Sequence, residues 1–185
     1  MGKKIAIDTY YREDSAKTVG VIFNNWEDSS PIEIVEATST DFGPYIPGKF
    51  YLRELPCILD LIKKIPDIMS YEVIIIDGLA RLPGSWTEGL GIHLFDALSE
   101  IYPEYVLGGP GPAIMGIAKS KFQGADDDNG TGKVYRGEAK TPLYTNTNWH
   151  HMSTADAIEN LAKMHGQYRI PTLLKLLDKL TKEVK

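Results

Sequence analysis

The chain reads as an α/β protein built on one mixed sheet flanked by helices. Three features predict this. Strand-like segments open the chain, a nearly continuous β-branched stretch (Val73-Ile74-Ile75-Ile76) follows the first amphipathic helical pattern, and two helical patterns close it. The 185 residues fit one domain, 1–185, large enough to bury a proper core, and no repeat, low-complexity tract or boundary interrupts them.

Taken in order, Lys3–Asp8 predicts a first strand, with Ile5, Ala6 and Ile7 running into an acid. Tyr10–Ala16 is polar and turn-like, and Thr18–Phe23 predicts a second strand. Asn24–Pro31 has turn chemistry, and Ile32–Thr38 alternates as a third strand. From Leu55 to Ile65, Ile58, Leu61, Ile62 and Ile65 keep helical spacing, and Pro66 closes that helix. Tyr71–Gly78 is the clearest strand, and its continuous apolar run implies burial on both faces. Thr87–Tyr102 predicts a second helix and Ala113–Lys119 another strand. Gln123–Gly132 is an acidic loop, expected to be mobile. Lys133–Arg136 and Pro142–Asn146 read as a short hairpin. Ser153 is a candidate N-cap for a helix reaching about Gly166, and a last helix follows Pro171.

Composition removes several classes. One cysteine, Cys57, excludes an intrachain disulfide and a cysteine-rich zinc site, and fits a reducing compartment. No apolar run approaches the roughly 20 residues of a membrane span, and the N-terminus enters a strand pattern at once. A cytoplasmic protein without membrane contact is therefore expected. The net charge of −5 weighs against non-specific nucleic-acid binding. It does not exclude a nuclease, because carboxylates that hold cations also make a chain acidic. No phosphate-binding Gly-x-x-x-x-Gly-Lys loop, dinucleotide fingerprint or Gly-x-Ser-x-Gly elbow is present.

Two stretches carry chemistry. In the first, Pro44 and Pro47 fix φ and push Gly43 and Ile46 into extended backbone, so Tyr45 and Ile46 form a stiff hook with Gly48 as a joint. An aromatic ring on such a hook can act as a wedge or a stacking platform against a base. Glu54 stands just ahead of Pro56, a residue favoured at the first position of a helix. The same stretch also fits an apolar loop packed on the core, with Glu54 as a helix-start acid.

In the second, Asp8 and Asp77 end the first and the most buried strands. In open α/β sheets, ligands lie outside the carboxyl ends of strands. If the two strands are neighbours, Asp8 and Asp77 face each other with Glu54 beside them, and three converging carboxylates call for a cation. Hard oxygen donors suit Mg2+ or Mn2+ better than zinc. Alternatively, each acid caps its own strand or turn. Lys119, at a strand exit, could meet a phosphate as a point charge or be a surface lysine. Asp178 could be a fourth ligand or part of the solvated face of an amphipathic helix.

These residues resemble the endonuclease V family, from Ile5 to about Asp178. The specific pieces are Asp8-Thr9-Tyr10-Tyr11, Pro44-Tyr45-Ile46-Pro47-Gly48, Arg53-Glu54-Leu55-Pro56, Ile76-Asp77-Gly78, Gly116-Ile117-Ala118-Lys119-Ser120 and Tyr168-Arg169-Ile170-Pro171. The resemblance implies a ribonuclease-H-like fold and a Mg2+-dependent endonuclease that nicks DNA or RNA 3′ to inosine, at the second phosphodiester. It implies Asp8, Glu54, Asp77 and Asp178 as metal ligands, with Asp8, Glu54, Asp77 and Lys119 as the catalytic set. Tyr45 would be the wedge, with Pro44, Ile46, Pro47 and Gly48 around it, and Gly78 and Gly116 would help to build the base pocket. Inosine-containing nucleic acid is the implied partner, and a monomer is expected. The chain departs from the family after Asp77-Gly78: Leu79-Ala80-Arg81-Leu82-Pro83-Gly84 stands where the family reads a further glycine and then His-Pro-Arg. That leaves two other readings: a ribonuclease-H-like nuclease for structured DNA or single-stranded RNA, and a nucleic-acid-binding relative without catalysis.

Overall fold

The computed structural model describes residues 2–47, 49–82, 88–122 and 130–184. The elements follow in the expected order: β1 (Lys4–Tyr11), β2 (Ala16–Phe23), β3 (Glu33–Ser39), α1 (Tyr51–Ile62), β4 (Val73–Asp77), α2 (Leu90–Ile101), β5 (Ala113–Ala118), β6 (Gly132–Val134), β7 (Leu143–Thr147), α3 (Thr154–Lys163) and α4 (Thr172–Lys182). A 3-10 turn, Ile68–Ser70, leads into β4.

The strands form one mixed sheet in the order β3-β2-β1-β4-β5-β7-β6. β1, β4 and β5 are parallel at its centre, and β2, β3, β6 and β7 add antiparallel pairs outside them. Side-chain alternation splits the core into two layers. Ile5, Ile7, Ile74 and Ile76 pack under α1 and α2, against Ile58, Leu61, Leu94 and Leu98. Ala6, Val73, Ile75 and Met115 pack on the other face with Ala157 and Leu161 of α3 and Leu173 and Leu177 of α4. The continuous apolar run of β4 is thus used on both faces.

Three boundaries differ from expectation in ways that matter for the site. β1 does not end at Asp8. It runs on to Tyr11 because Thr9, Tyr10 and Tyr11 continue the ladder against Thr18, Lys17 and Ala16, and the turn is confined to the residues between Arg12 and Ser15. α1 begins at Tyr51 rather than at Leu55. Carbonyls of Lys49 and Phe50 accept from the N–H groups of Leu52, Arg53 and Glu54, so a helical turn forms ahead of Pro56. Glu54 therefore sits inside the first turn, and Pro56 lies within the helix. α2 spans Leu90–Ile101, its expected start at Thr87 lying outside the described residues. Most of the acidic loop, 123–129, lies outside them too.

α4 is tied to the sheet at its C-terminal end. The buried Lys17 ammonium donates to the carbonyls of Leu180 (2.8 Å) and Glu183 (3.3 Å), where a cation also meets the negative end of the helix dipole. This fixes α4 across β1 and β2.

Candidate nuclease centre

The register of the central strands decides where the acids go. β1 and β4 run parallel with Ile7 opposite Ile76, which brings Asp8 level with Asp77 one residue later. Asp8 lies on the same face as Ala6, and Asp77 on the same face as Ile75, so both point toward the α3–α4 layer. Asp178 on α4 comes from that layer. Glu54 reaches the same end of the strands from α1 and is only 2% exposed.

The electrostatics follow from this placement. Burial pushes the Asp8 carboxyl up from 3.8 to about 6, and the charge of Asp77 adds to the rise. Lys119 and the Thr9 N–H, which donates to Asp8 Oδ1 at 2.8 Å, pull the other way, and Asp178 adds a further small rise. Glu54 is held well above the usual carboxylate range by burial first, then by Asp8 and Asp77, all acting in one direction. A buried carboxylate with only anionic neighbours acting on it needs a cation or a proton.

Lys119 supplies positive charge to the other acids. Its ammonium lies 3.4 Å from Asp77 Oδ2 and 3.8 Å from Asp178 Oδ1, while Lys182 holds Asp178 Oδ2 at 2.8 Å. The expected three-acid cage is correspondingly not closed: among the described residues, no three His, Cys, Asp or Glu side chains stand near enough to hold one ion between them. The acids face one another, but an ammonium stands between two of them. The donor set itself, hard carboxylate oxygens around an under-neutralised buried glutamate, fits a Mg2+-like ion.

Beside the acids a cleft of about 480 Å³ runs between the hook and β4–β5, lined by Tyr45, Phe50, Tyr51, Asp77, Gly78, Leu79, Leu82 and Phe122 among others. Tyr45 is 62% exposed, and Ile46 is also exposed. Pro44 and Pro47 lie exposed on either side, and Gly48 lies outside the described residues. Gly78 lines the cleft with φ +103°, a conformation glycine adopts without strain. Gly116 does not line it. It is buried in β5 directly beneath the next turn of chain, where a Cβ would stand 2.2 Å from Ala80 N and 2.5 Å from Gly78 O. Its part is to let the Gly78–Ala80 backbone lie flat on the sheet.

Sequence reasoning passed over several residues that hold the site. The Arg53 guanidinium lies 4.1 Å from the Tyr11 ring and 5.4 Å from the Phe42 ring, joining the end of β1, the hook and α1. Asn146 in β7 accepts from the N–H groups of Ala80 (2.8 Å) and Arg81 (3.3 Å) and donates to Arg81 O (2.8 Å), so its side chain acts as one more strand for the loop after Asp77. Arg169 donates to the carbonyls of Lys119, Thr141 and Pro142, bracing the exit of β5. His150 and His151 sit in a bend, with φ +57° at His151 and ring centroids 4.0 Å apart. An asparagine within a strand run is the one local signal, because asparagine is depleted there.

Residues 4–83 match the family model for Endonuclease V. No curated protein sequence matches the chain. Among solved structures, Ciona intestinalis Endonuclease V in complex with a 24mer DNA containing an inosine followed by a ribo-adenosine is similar, with a TM-score of 0.69 and 17% identity over 98% of this chain and 84% of that one. Human ENDOV has a TM-score of 0.70 and 16% identity over 98% and 83% of the two chains. Endonuclease V from Streptomyces avermitilis has a TM-score of 0.69 and 19% identity over 98% and 80%. At these identities the likeness shows the ribonuclease-H-like fold that those enzymes share with this chain.

Proposed function

We propose, from the match of residues 4–83 to the Endonuclease V model and the likeness of the fold to Endonuclease V structures, that the chain is a divalent-metal-dependent endonuclease nicking DNA or RNA 3′ to inosine, at the second phosphodiester. The observation that carries this reading is Glu54: buried, facing Asp8 and Asp77, and with burial and both neighbours raising its proton affinity. A structural acid would be paired at folding; one buried with no cationic partner beside the carboxyl ends of two central strands suits a site completed by a bound cation.

Asp8, Glu54, Asp77 and Asp178 would hold the ion. Such an ion supplies charge neutralisation at the phosphate and lowers the pKa of a bound water. The chain's own groups do the rest. Lys119 is within reach of Asp77 and Asp178, and in this reading it leaves them for a phosphate oxygen when a cation takes over their charge. Tyr45, stiffened by Pro44 and Pro47, wedges into the stack, and the extruded base enters the cleft between the hook and Gly78. Phe50, Tyr51 and Phe122 offer it aromatic surface.

The test is an end-labelled oligonucleotide with one inosine, in DNA and RNA forms, incubated with Mg2+ or Mn2+. A nick at the second phosphodiester is expected from the wild type, and at least about a hundredfold less from Asp77→Asn, since the interactions of such an ion are worth several kcal/mol in the transition state. Cleavage indifferent to inosine would move the reading to another substrate. No cleavage of either nucleic acid above the Asp77→Asn level would overturn it.

A further inference from the structure

A second, larger groove of about 1,060 Å³ opens on the other side of the acids. Its lining includes Lys119, Gln167, Tyr168, Arg169, Lys175 and Asp178. The exit of β5 divides the two hollows. Ala118 and Ser120 line the cleft beside the hook, while Lys119, between them in the chain, lines the groove. Asp77 and Lys119, 3.4 Å apart, form the saddle where the hollows meet. A strand whose base sits beneath the hook and whose phosphate lies over the acids has the groove as its continuation.

The groove's chemistry suits single-stranded nucleic acid. Tyr168 is 63% exposed, with the Lys175 ammonium 5.2 Å from its ring centroid. The loop that carries the ring is braced on both sides. Arg136 donates to the carbonyls of Met164 (2.7 Å) and Gly166 (2.9 Å), Thr172 N–H donates to His165 O (2.8 Å), and Arg169 is fastened to three carbonyls. An aromatic ring held out to solvent on a fixed loop, with a cation beside it, has the features of a base-stacking platform. Glu138 on the rim keeps the groove from being uniformly basic, so stacking rather than bulk charge would dominate.

We propose that this groove binds the part of the substrate strand beyond the scissile phosphodiester, on the side away from the hooked base, with Tyr168 stacking on one of its bases and Lys175 meeting its phosphate. The proposal rests on the endonuclease reading for the position of the cut, but its test does not require cleavage. Fluorescence anisotropy in EDTA would measure binding of labelled single-stranded inosine oligonucleotides with either two or ten nucleotides beyond the expected cut. Wild type should bind the longer one about tenfold more tightly, consistent with the typical effect of a stacked base. Tyr168→Ala should erase that preference, Tyr168→Phe should keep it, and Lys175→Ala should lower the salt dependence by about one phosphate contact. Both side chains are exposed, so neither substitution empties the core. Equal affinity of wild type for the two lengths, no binding of either, or an unchanged preference in Tyr168→Ala would overturn the proposal. A length preference without any nicking in Mg2+ would leave the groove standing and remove the endonuclease reading; nicking without a length preference would do the reverse.

Discussion

Replacing Asp8 with asparagine is expected to stabilise the metal-free protein at alkaline pH. The Asp8 carboxyl is raised from 3.8 to about 6 in the folded chain, by burial first and by Asp77 next. A raised carboxyl means that the folded state binds the proton more tightly than the unfolded state. Its contribution is therefore most favourable below about pH 4 and is lost as pH climbs through about 6. The rise is worth about 3 kcal/mol at most, at about 1.4 kcal/mol per pH unit, and partial solvent access reduces it to about 2 kcal/mol. Asparagine removes the charge and keeps an oxygen for the Thr9 N–H. Urea or thermal unfolding in EDTA at pH 8 should show Asp8→Asn more stable by about 2 kcal/mol, or about 4–8 °C in Tm for a chain of this size. At pH 4 the gap should shrink below about 1 kcal/mol. Added Mg2+ should then raise the Tm of the wild type and raise that of Asp8→Asn less, because the ion binds what the substitution removes. A variant less stable than wild type at pH 8, or a gap of the same size at both pH values, would refute the idea that burial and the neighbouring Asp77 disfavour the Asp8 charge in the folded chain.

Two further substitutions separate the hook from the scaffold. Tyr45→Ala should weaken capture of an inosine oligonucleotide about tenfold, seen as a higher KM with kcat changed far less, while unfolding in urea stays within about 0.5 kcal/mol of wild type; unchanged KM would make the hook mere packing. Gly116→Ala should destabilise the fold by about 1–3 kcal/mol or more in urea unfolding, since the added Cβ meets backbone at 2.2 Å; a neutral result would mean that the Gly78–Ala80 chain does not lie as closely on β5 as described.

Most of the sheet was legible because its central strands carry their own signal. Val73–Ile76 are β-branched without interruption, and a strand buried on both faces leaves that mark; the helical stripes of α1 and α4 leave theirs. What local pattern could not show was where pairing would stop. Thr9–Tyr11 are polar enough to read as a turn, yet β2 supplies partners for all three, so Asp8 lies within a strand. Pro56 looked like the start of α1, but Lys49 and Phe50 supply the first-turn acceptors, so the helix starts earlier and carries Glu54 inward. Of the acids, Asp77 ends its strand as the pattern predicts, whereas Asp8 lies inside β1 and Glu54 inside the first turn of α1. Their supports were not legible. Arg53 between Tyr11 and Phe42, and Asn146 against Ala80 and Arg81, join residues tens of positions apart with no periodicity to announce them.

The departure from the family pattern after Asp77-Gly78 has a structural answer at its first position. Ala80 stands where the resemblance leads one to expect a second glycine, and its side chain faces α2. The N-terminal residues of that helix make room: a Cβ on Gly91 would lie 2.6 Å from the Ala80 Cβ, and one on Gly89 would lie 2.6 Å from the Ala80 carbonyl oxygen. Ala80 is fully buried there, outside the cleft. The extra methyl is therefore absorbed by glycines contributed from another element, and the path of the backbone past Gly78 is kept by Asn146 on one side and Gly116 beneath. Among the described residues of this segment, those that face the cleft are Leu79 and Leu82, both apolar. The cleft thus combines these aliphatic walls with the aromatic rings of Tyr45, Phe50, Tyr51 and Phe122 and with the polar side chains of Glu88, Ser120 and Lys121. The departure after Gly78 therefore bears on the wall of the cleft, while Asn146 and Gly116 keep the backbone path of Gly78–Ala80.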